Sequence, residues 1–195
     1  PELIYTLYAS SLIGSVFKPI DINLDSDELL NQFKKTPSKI FFSSIQNIDK
    51  IIPISNDINV NKIVLLNKED SLSKIAKINF KSNNLKKYST HNNKLFINWK
   101  KFYNQKNNVN FPSFRANRNT IIYCDNIKWN ISKEYTNSDF NEQLYNISHS
   151  DMQFNRKDKM INCVEPWKDL SMVHTALCNG MTLDIDSLWV PEKNS

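Results

Sequence analysis

Two stretches of helix–strand alternation, separated by a polar middle, predict an α/β fold with a doubly wound, mainly parallel sheet. Three observations carry this. The runs KIFFSS (39–44) and KIVLLN (62–67) are short and nearly continuously apolar, the pattern of parallel strands covered on both faces. The residues between them repeat isoleucine at helical intervals. The same alternation returns after residue 120, and strands that alternate with helices are joined by right-handed crossovers.

The elements follow in order. The opening PELIYTLYASSLIG sets Leu3, Ile4, Leu7, Tyr8, Leu12 and Ile13 at helical spacing, with Gly14 as the stop. A short strand is expected over SVFKPI, residues 15–20. In DSDELLNQFKKTP, Asp25 is the N-cap with Glu28 three residues on. Leu29, Leu30 and Phe33 form the apolar stripe, lysines close the last turn, and Pro37 lies beyond. Ile45, Ile48, Ile51 and Ile52 then give a helical segment between the two apolar strands.

From about Lys68 to Asn119 the periodicity fades into Lys- and Asn-rich sequence, broken by the aromatic run LFINWKKFY. TIIYCDNIKWNIS (120–132) reads as a strand, a tight turn at Asp125-Asn126 and a second strand. TNSDFNEQLYNISHSDM reads as a helix with Phe140, Leu144 and Ile147 on one face. KMINCVEP is a strand, DLSMVHTALCNG a helix ended by Gly180, and MTLDI a strand. The domain organisation expected is a first α/β portion at 1–67, an Asn/Lys-rich linker or insertion at 68–119, and a second portion of the same domain at 120–195.

A chain of 195 residues with 40% apolar content can bury one sizeable core. It holds no run of about 18 apolar residues and no basic-then-apolar leader, so neither a membrane span nor a signal peptide is expected. An intracellular protein, cytoplasmic or peripheral to organelle membranes, fits. The first residue is Pro rather than Met, which suggests a piece of something longer. Cys124, Cys163 and Cys178 are widely spaced within apolar runs and read as reduced core residues, with no C-x-x-C pair to hold a metal. The net charge of +5 invites a nucleic-acid reading, yet 28 of the 195 residues are Asn, as an AT-rich coding sequence would give, so the charge fits codon bias on a solvated face. Glycine is the informative count. There are 2, Gly14 and Gly180, whereas every Gly-rich phosphate cradle needs several close together.

The strings LYASSLIGSVFKPID with SKIFFSS, and NEQLYNISHSDMQFNRKDKMINCVEPWKDLSMVHTALCNGMTLDID, resemble the early and later parts of the adenylate-forming enzymes, the acyl-CoA synthetases and fatty acyl-AMP ligases. The likeness covers most of residues 3–66 and 120–190 and implies a partial N-terminal lobe of an AMP-binding domain. In active members the loop between the two strands at 120–132 is rich in Ser, Thr and Gly and carries a Lys that holds the triphosphate. Here Asp125 and Asn126 stand at that position. The family's Pro-x-x-His-x-x-Gly pattern falls on Pro166, Asp169 and Met172, which departs at both diagnostic positions. The chain also ends before the segments where the family keeps its ribose-binding Asp and catalytic Lys. The resemblance therefore implies a module that does not adenylate, with no catalytic residues, cofactor or metal.

PWKDLSMVHTAL is similar to the corresponding string of the Disco-interacting protein family, fungal-type, whose ligase-like domains carry a Lys-Asp pair and a downstream His. The resemblance carries Lys168, Asp169 and His174 into a candidate ligand pocket and implies a role in diacylglycerol and storage-lipid homeostasis. The implied partners are another ligase-like domain of the same protein and an acyl lipid or diacylglycerol. Read from the residues alone, Asp169 is an N-cap and His174 a partly buried core histidine. His91 and His149 read as solvated. A triad of Ser171, His174 and Asp169 lacks an oxyanion hole. Two rival functions stand beside this one: a genuine acyl-activating ligase with an altered phosphate loop, and a single-strand nucleic-acid module built on Trp99, Phe102, Tyr103, Lys100 and Lys101.

Overall fold

The computed structural model describes residues 2–35, 37–67, 70, 94–105, 117–127, 131–148, 155, 157, 159–162 and 170–185. They divide between two compact units, one drawn from 1–8 and 20–112, the other from 9–19 and 113–195.

Helix α1 (Glu2–Leu12) opens the chain. It ends as its sequence asks. Gly14 takes φ 72°, its amide donates to the Ser11 carbonyl at 3.2 Å, and the Ser15 amide reaches back to the Ser10 carbonyl at 2.8 Å. That pair of bonds is a Schellman cap, which needs a residue at positive φ. The strand expected over 15–20 is not formed. A lone bridge at Phe17 is all that appears there, and Pro19 has no amide hydrogen to give a ladder.

In the first unit, α2 (Ser26–Lys35) starts where Asp25 predicts, its carboxylate accepting the Glu28 amide at 2.8 Å. Strand β1 (Ile40–Ser44) leads through helical turns, among them α3 (Ile48–Ile51), to β2 (Lys62–Leu66). The two strands are parallel, with Phe41 beside Ile63 and Phe42 beside Val64. A third parallel strand, β3 (Phe96–Asn98), pairs with the other edge of β2 and runs straight into the short α4 (Trp99–Tyr103).

The aromatic run within the stretch read as a linker or insertion therefore contributes a strand to the sheet. The strand's three residues are too few to show a period, and only its pairing with Ile63 and Val64 identifies it. Leu29 and Phe33 of α2, Ile48 and Ile51 of α3, Ile54, Ile58 and Val60 close over Ile63 and Leu65 of β2. Val64 points the other way and is equally buried, so β2 is covered on both faces, as its unbroken apolar run predicts.

The second unit holds an antiparallel hairpin, β4 (Ile121–Ile127) with β5 (Ile131–Thr136). Helix α5 (Asn137–Ser148) follows directly. Strands β6 (Lys159–Asn162) and β7 (Thr182–Ile185) are parallel neighbours joined through α6 (Leu170–Cys178), the βαβ unit that the alternation predicts. Helix α6 closes with a second Schellman cap. Gly180 lies at φ 64°, its amide on the Leu177 carbonyl at 3.1 Å and the Met181 amide on the Ala176 carbonyl at 2.9 Å.

Because Ile63 is wholly buried at the centre of the first unit, Ile63→Ala leaves a cavity and should lower the unfolding free energy by roughly 2–5 kcal/mol. Denaturant titration beside Ile52→Ala, whose parent side chain is 42% exposed, is the check. Equal midpoint shifts for the two variants would mean that β2 is not the packing centre.

Candidate functional site

The hairpin comes first, because a phosphate-holding loop would have to lie at its tip. Its ladder pairs Cys124 with Glu134, Asp125 with Lys133, Asn126 with Ser132 and, last, Ile127 with Ile131. Asp125 and Asn126 are thus strand residues and not the turn, which corrects the placement expected from their turn propensity. β-branched Ile127 and Ile131 favour extended backbone, and keeping them in the ladder moves the connection onward. Residues 128–130, which make that connection, lie outside the described residues; by sequence they are Lys128, Trp129 and Asn130.

At its far end β5 passes into α5 through a capping box with Asp in place of Glu. The Asp139 carboxylate accepts the Thr136 amide at 2.6 Å and the Thr136 hydroxyl at 2.8 Å, while the Asp139 amide donates to that hydroxyl oxygen at 3.3 Å. The next two donors are also engaged: the Asn137 amide bonds the Thr120 carbonyl and the Ser138 amide the Arg118 carbonyl, each at 3.0 Å. The first three amides of α5 are all taken within the chain. Its N-terminus offers an anion no free donor, and the Asp139 carboxylate repels one.

One turn into α5, Phe140 is buried and meets two rings edge to face, Tyr135 at 6.3 Å and the His174 imidazole at 6.0 Å. Helix α6 brings His174 there because it buries Val173 and Ala176, which sets the intervening His174 half in and half out. Cys178, one turn on from His174, has its sulfur 3.6 Å from Nε2 and 3.9 Å from Nδ1. This thiol is exposed, against the core role expected for it. It lies five residues from Val173, about 140° round the helix from the buried face.

Of the three candidate pocket residues, His174 is placed, while Lys168 and Asp169 lie outside the described residues, as do Cys163, His91 and His149. Phe140 is the neighbour that the sequence reading assigned only to a helix face. The His-x-x-x-Cys spacing at 174 and 178 was a signal that it could have used. Among the described residues no group of three or more His, Cys, Asp or Glu could hold a metal ion, and no helix is long and apolar enough to cross a membrane. What the arrangement brings together chemically is one half-buried imidazole, the Phe140 ring edge and the exposed Cys178 thiol.

The aromatic run of the first unit has a different use. Trp99 and Phe102 are half-buried and lie 6.3 and 5.5 Å from the ring of Phe42 on β1, and the Trp99 ring stacks on Tyr103 at 6.1 Å and 23°. Tyr103 is 75% exposed, with Lys100 and Lys101 exposed beside it.

No protein-family model matches the chain, and no curated protein matches it by sequence. Solved structures match it by shape. Acyl-CoA synthetase from Brucella canis superposes with a TM-score of 0.68 at 12% identity, over 97% of this chain and 32% of that one. The A domain of carboxylic acid reductase from Segniliparus rugosus, solved with AMP and a co-purified carboxylic acid, gives 0.67 at 14% identity over 93% and 31%. Coronafacic acid ligase from Pectobacterium brasiliense gives 0.64 at 16% identity over 95% and 33%. Identities this low show the fold alone: the α/β arrangement of adenylate-forming synthetases and ligases, of which this chain spans about one third of the length.

Burial holds the His174 imidazole below its ordinary value of 6.5, because the half-covered ring loses the water that would solvate its charge. The unfolded chain then binds more protons than the folded one between the two values. The stability contributed by neutral His174 is present above pH 6.5 and is lost as pH falls toward the folded-state value. Urea unfolding at about pH 8 and about pH 5.5 should show a larger acid loss in the parent than in His174→Gln. Identical losses would assign the acid sensitivity elsewhere.

Proposed function

We propose that this chain is a degenerate fatty acyl-AMP ligase-like module of a lipid-metabolism regulator, one that binds or scaffolds and does not adenylate. The observation that carries the reading is the length of the hairpin connection. With Ile127 paired to Ile131, three residues join the strands, and none is Gly. A triphosphate cradle needs successive backbone amides turned to one point, which takes several residues and glycines that let the backbone approach. By sequence, Lys128 brings one cation to that connection. Both glycines of the chain close helices.

The ligand class is an acyl lipid or diacylglycerol. The half-buried His174 imidazole lies against the Phe140 ring, and an imidazole held neutral by burial suits a hydroxyl or ester better than a phosphate. Lys168 and Asp169 join the pocket through the resemblance to the Disco-interacting protein family, and the protein partner is a second ligase-like domain of the same protein. The packing of the half-buried Trp99 and Phe102 rings on Phe42 weighs against a nucleic-acid groove, where ring faces must be open to bases, and leaves Tyr103 as the exposed ring of that set.

Two measurements test this. Titration of the chain with ATP and magnesium, its folding checked by cooperative thermal melting, should give no saturable heat; micromolar saturation would overturn the non-adenylating half. Lipid mass spectrometry of cells lacking the gene should show a selective rise in diacylglycerols. Unchanged lipids would sink the regulatory half.

A further inference from the structure

Charge is not spread evenly along this chain. Residues 71–124, a stretch of 54, hold 9 Lys, 2 Arg and no Asp or Glu, where the chain's own acidic content would give about five. A surplus of lysine fits codon bias; the missing carboxylates do not follow from it. Strand β3 brings part of this stretch into the sheet of the first unit, and the strands beside it add to the charge. Lys39 stands immediately before β1, Lys62 opens β2 and Lys94 lies two residues before β3, so all three fall at the N-terminal end of one parallel sheet. The Lys62 amide donates to the Lys39 carbonyl at 3.4 Å, and the Lys62 ammonium donates to the Lys94 carbonyl. Neighbouring strands lie about 4.8 Å apart, so each lysine starts within the screening length of about 8 Å from the next, and their fields add. Lys39 and Lys94 are exposed and Lys62 is half-buried. Among them stands Ile40, the register partner of Lys62, with 41% of its surface open to water.

We propose that this end of the sheet, Lys39, Lys62 and Lys94 around Ile40, is a contact surface for an anionic lipid bilayer. A bilayer offers both things such a surface can use: a layer of negative headgroups for the lysines and an apolar layer beneath for the isoleucine. A single bound phosphate is a poorer occupant. The amides of Asn61, Lys62 and Ile63 already bond the Lys39 and Leu95 carbonyls, so the lysines act there as point charges without a backbone cradle. A nucleic-acid strand is poorer too, because the exposed apolar side chain among the lysines is an isoleucine and gives a base no ring to stack on. The proposal rests on the lipid reading above, since an acyl lipid or diacylglycerol lies in a bilayer and a protein that handles it has to meet that surface. With so few groups the contact is reversible and sensitive to salt.

The test is co-sedimentation of the full-length protein with phosphatidylcholine vesicles made with and without phosphatidylserine, at low and high salt. Binding to the anionic vesicles alone is expected, weakened by salt and by about fivefold for each of Lys39→Gln, Lys62→Gln and Lys94→Gln. Lys157→Gln, which removes an exposed lysine of the second unit, should leave binding unchanged, and arginine at the three positions should retain it, which separates lost charge from lost fold. Equal binding to neutral vesicles, no binding to either, or a loss no greater at the three lysines than at Lys157 overturns the proposal. Tighter binding to single-stranded DNA than to the vesicles, lost in the same variants, assigns the surface to a nucleic acid and overturns it as well. Anionic binding that depends on the three lysines, with diacylglycerols unchanged in cells lacking the gene, leaves this surface standing and counts against the regulatory reading instead.

Discussion

Burial of β2 on both faces is the constraint from which the first unit follows. A strand whose three central residues, Ile63, Val64 and Leu65, are all shut off from water needs a partner on each edge and cover above and below. β1 and β3 supply the edges. Helices α2 and α3 cover the Ile63 and Leu65 side. Phe42, Val64 and Ile97 line up across the opposite side, and Trp99 and Phe102 rest on Phe42 there. Two of the aromatic residues that looked available for recognition, Trp99 and Phe102, are thereby packed on the sheet, while Tyr103 stays exposed.

In the second unit, glycine-rich backbone is absent from the described residues, and the N-terminus of α5 is closed to an anion. Glycine-rich backbone that can wrap a phosphate is missing because both glycines sit at positive φ behind helices, where a side chain would clash with the chain's own turn. An open helix N-terminus is missing at α5 because neighbouring carbonyls and the Thr136 hydroxyl occupy its first amides. What the described part of the unit brings together instead is the Phe140 ring, the half-buried His174 imidazole and the Cys178 thiol.

Local chemistry made much of this legible in the sequence. Asp25, Gly14 and Gly180 each satisfy backbone groups within a few residues of themselves, and the continuous apolar character of β2 reports burial directly. Where the outcome depended on distant partners, the sequence was silent. β3 is three residues long and exists through its pairing with β2. Asp125 and Asn126 have turn chemistry, yet the ladder extends to Ile127 and Ile131 and takes them in. Cys178 sits in an apolar run whose buried side was set by Val173 and Ala176. Of the candidate pocket, the contact between His174 and Phe140 joins two helices far apart in the chain, which periodicity within either helix cannot reveal.

The short connection between β4 and β5 also sets a direction of change. Single-base substitutions can alter which three residues stand between Ile127 and Ile131, and could place a glycine or serine there. They cannot lengthen the link. A backbone path long enough to encircle a polyphosphate would require an insertion that leaves the strand register intact, or a slip that turns each facing side chain to the opposite face. The hairpin therefore constrains its own variation: point mutation can change the chemistry of the three linking residues but not the length of the path they span.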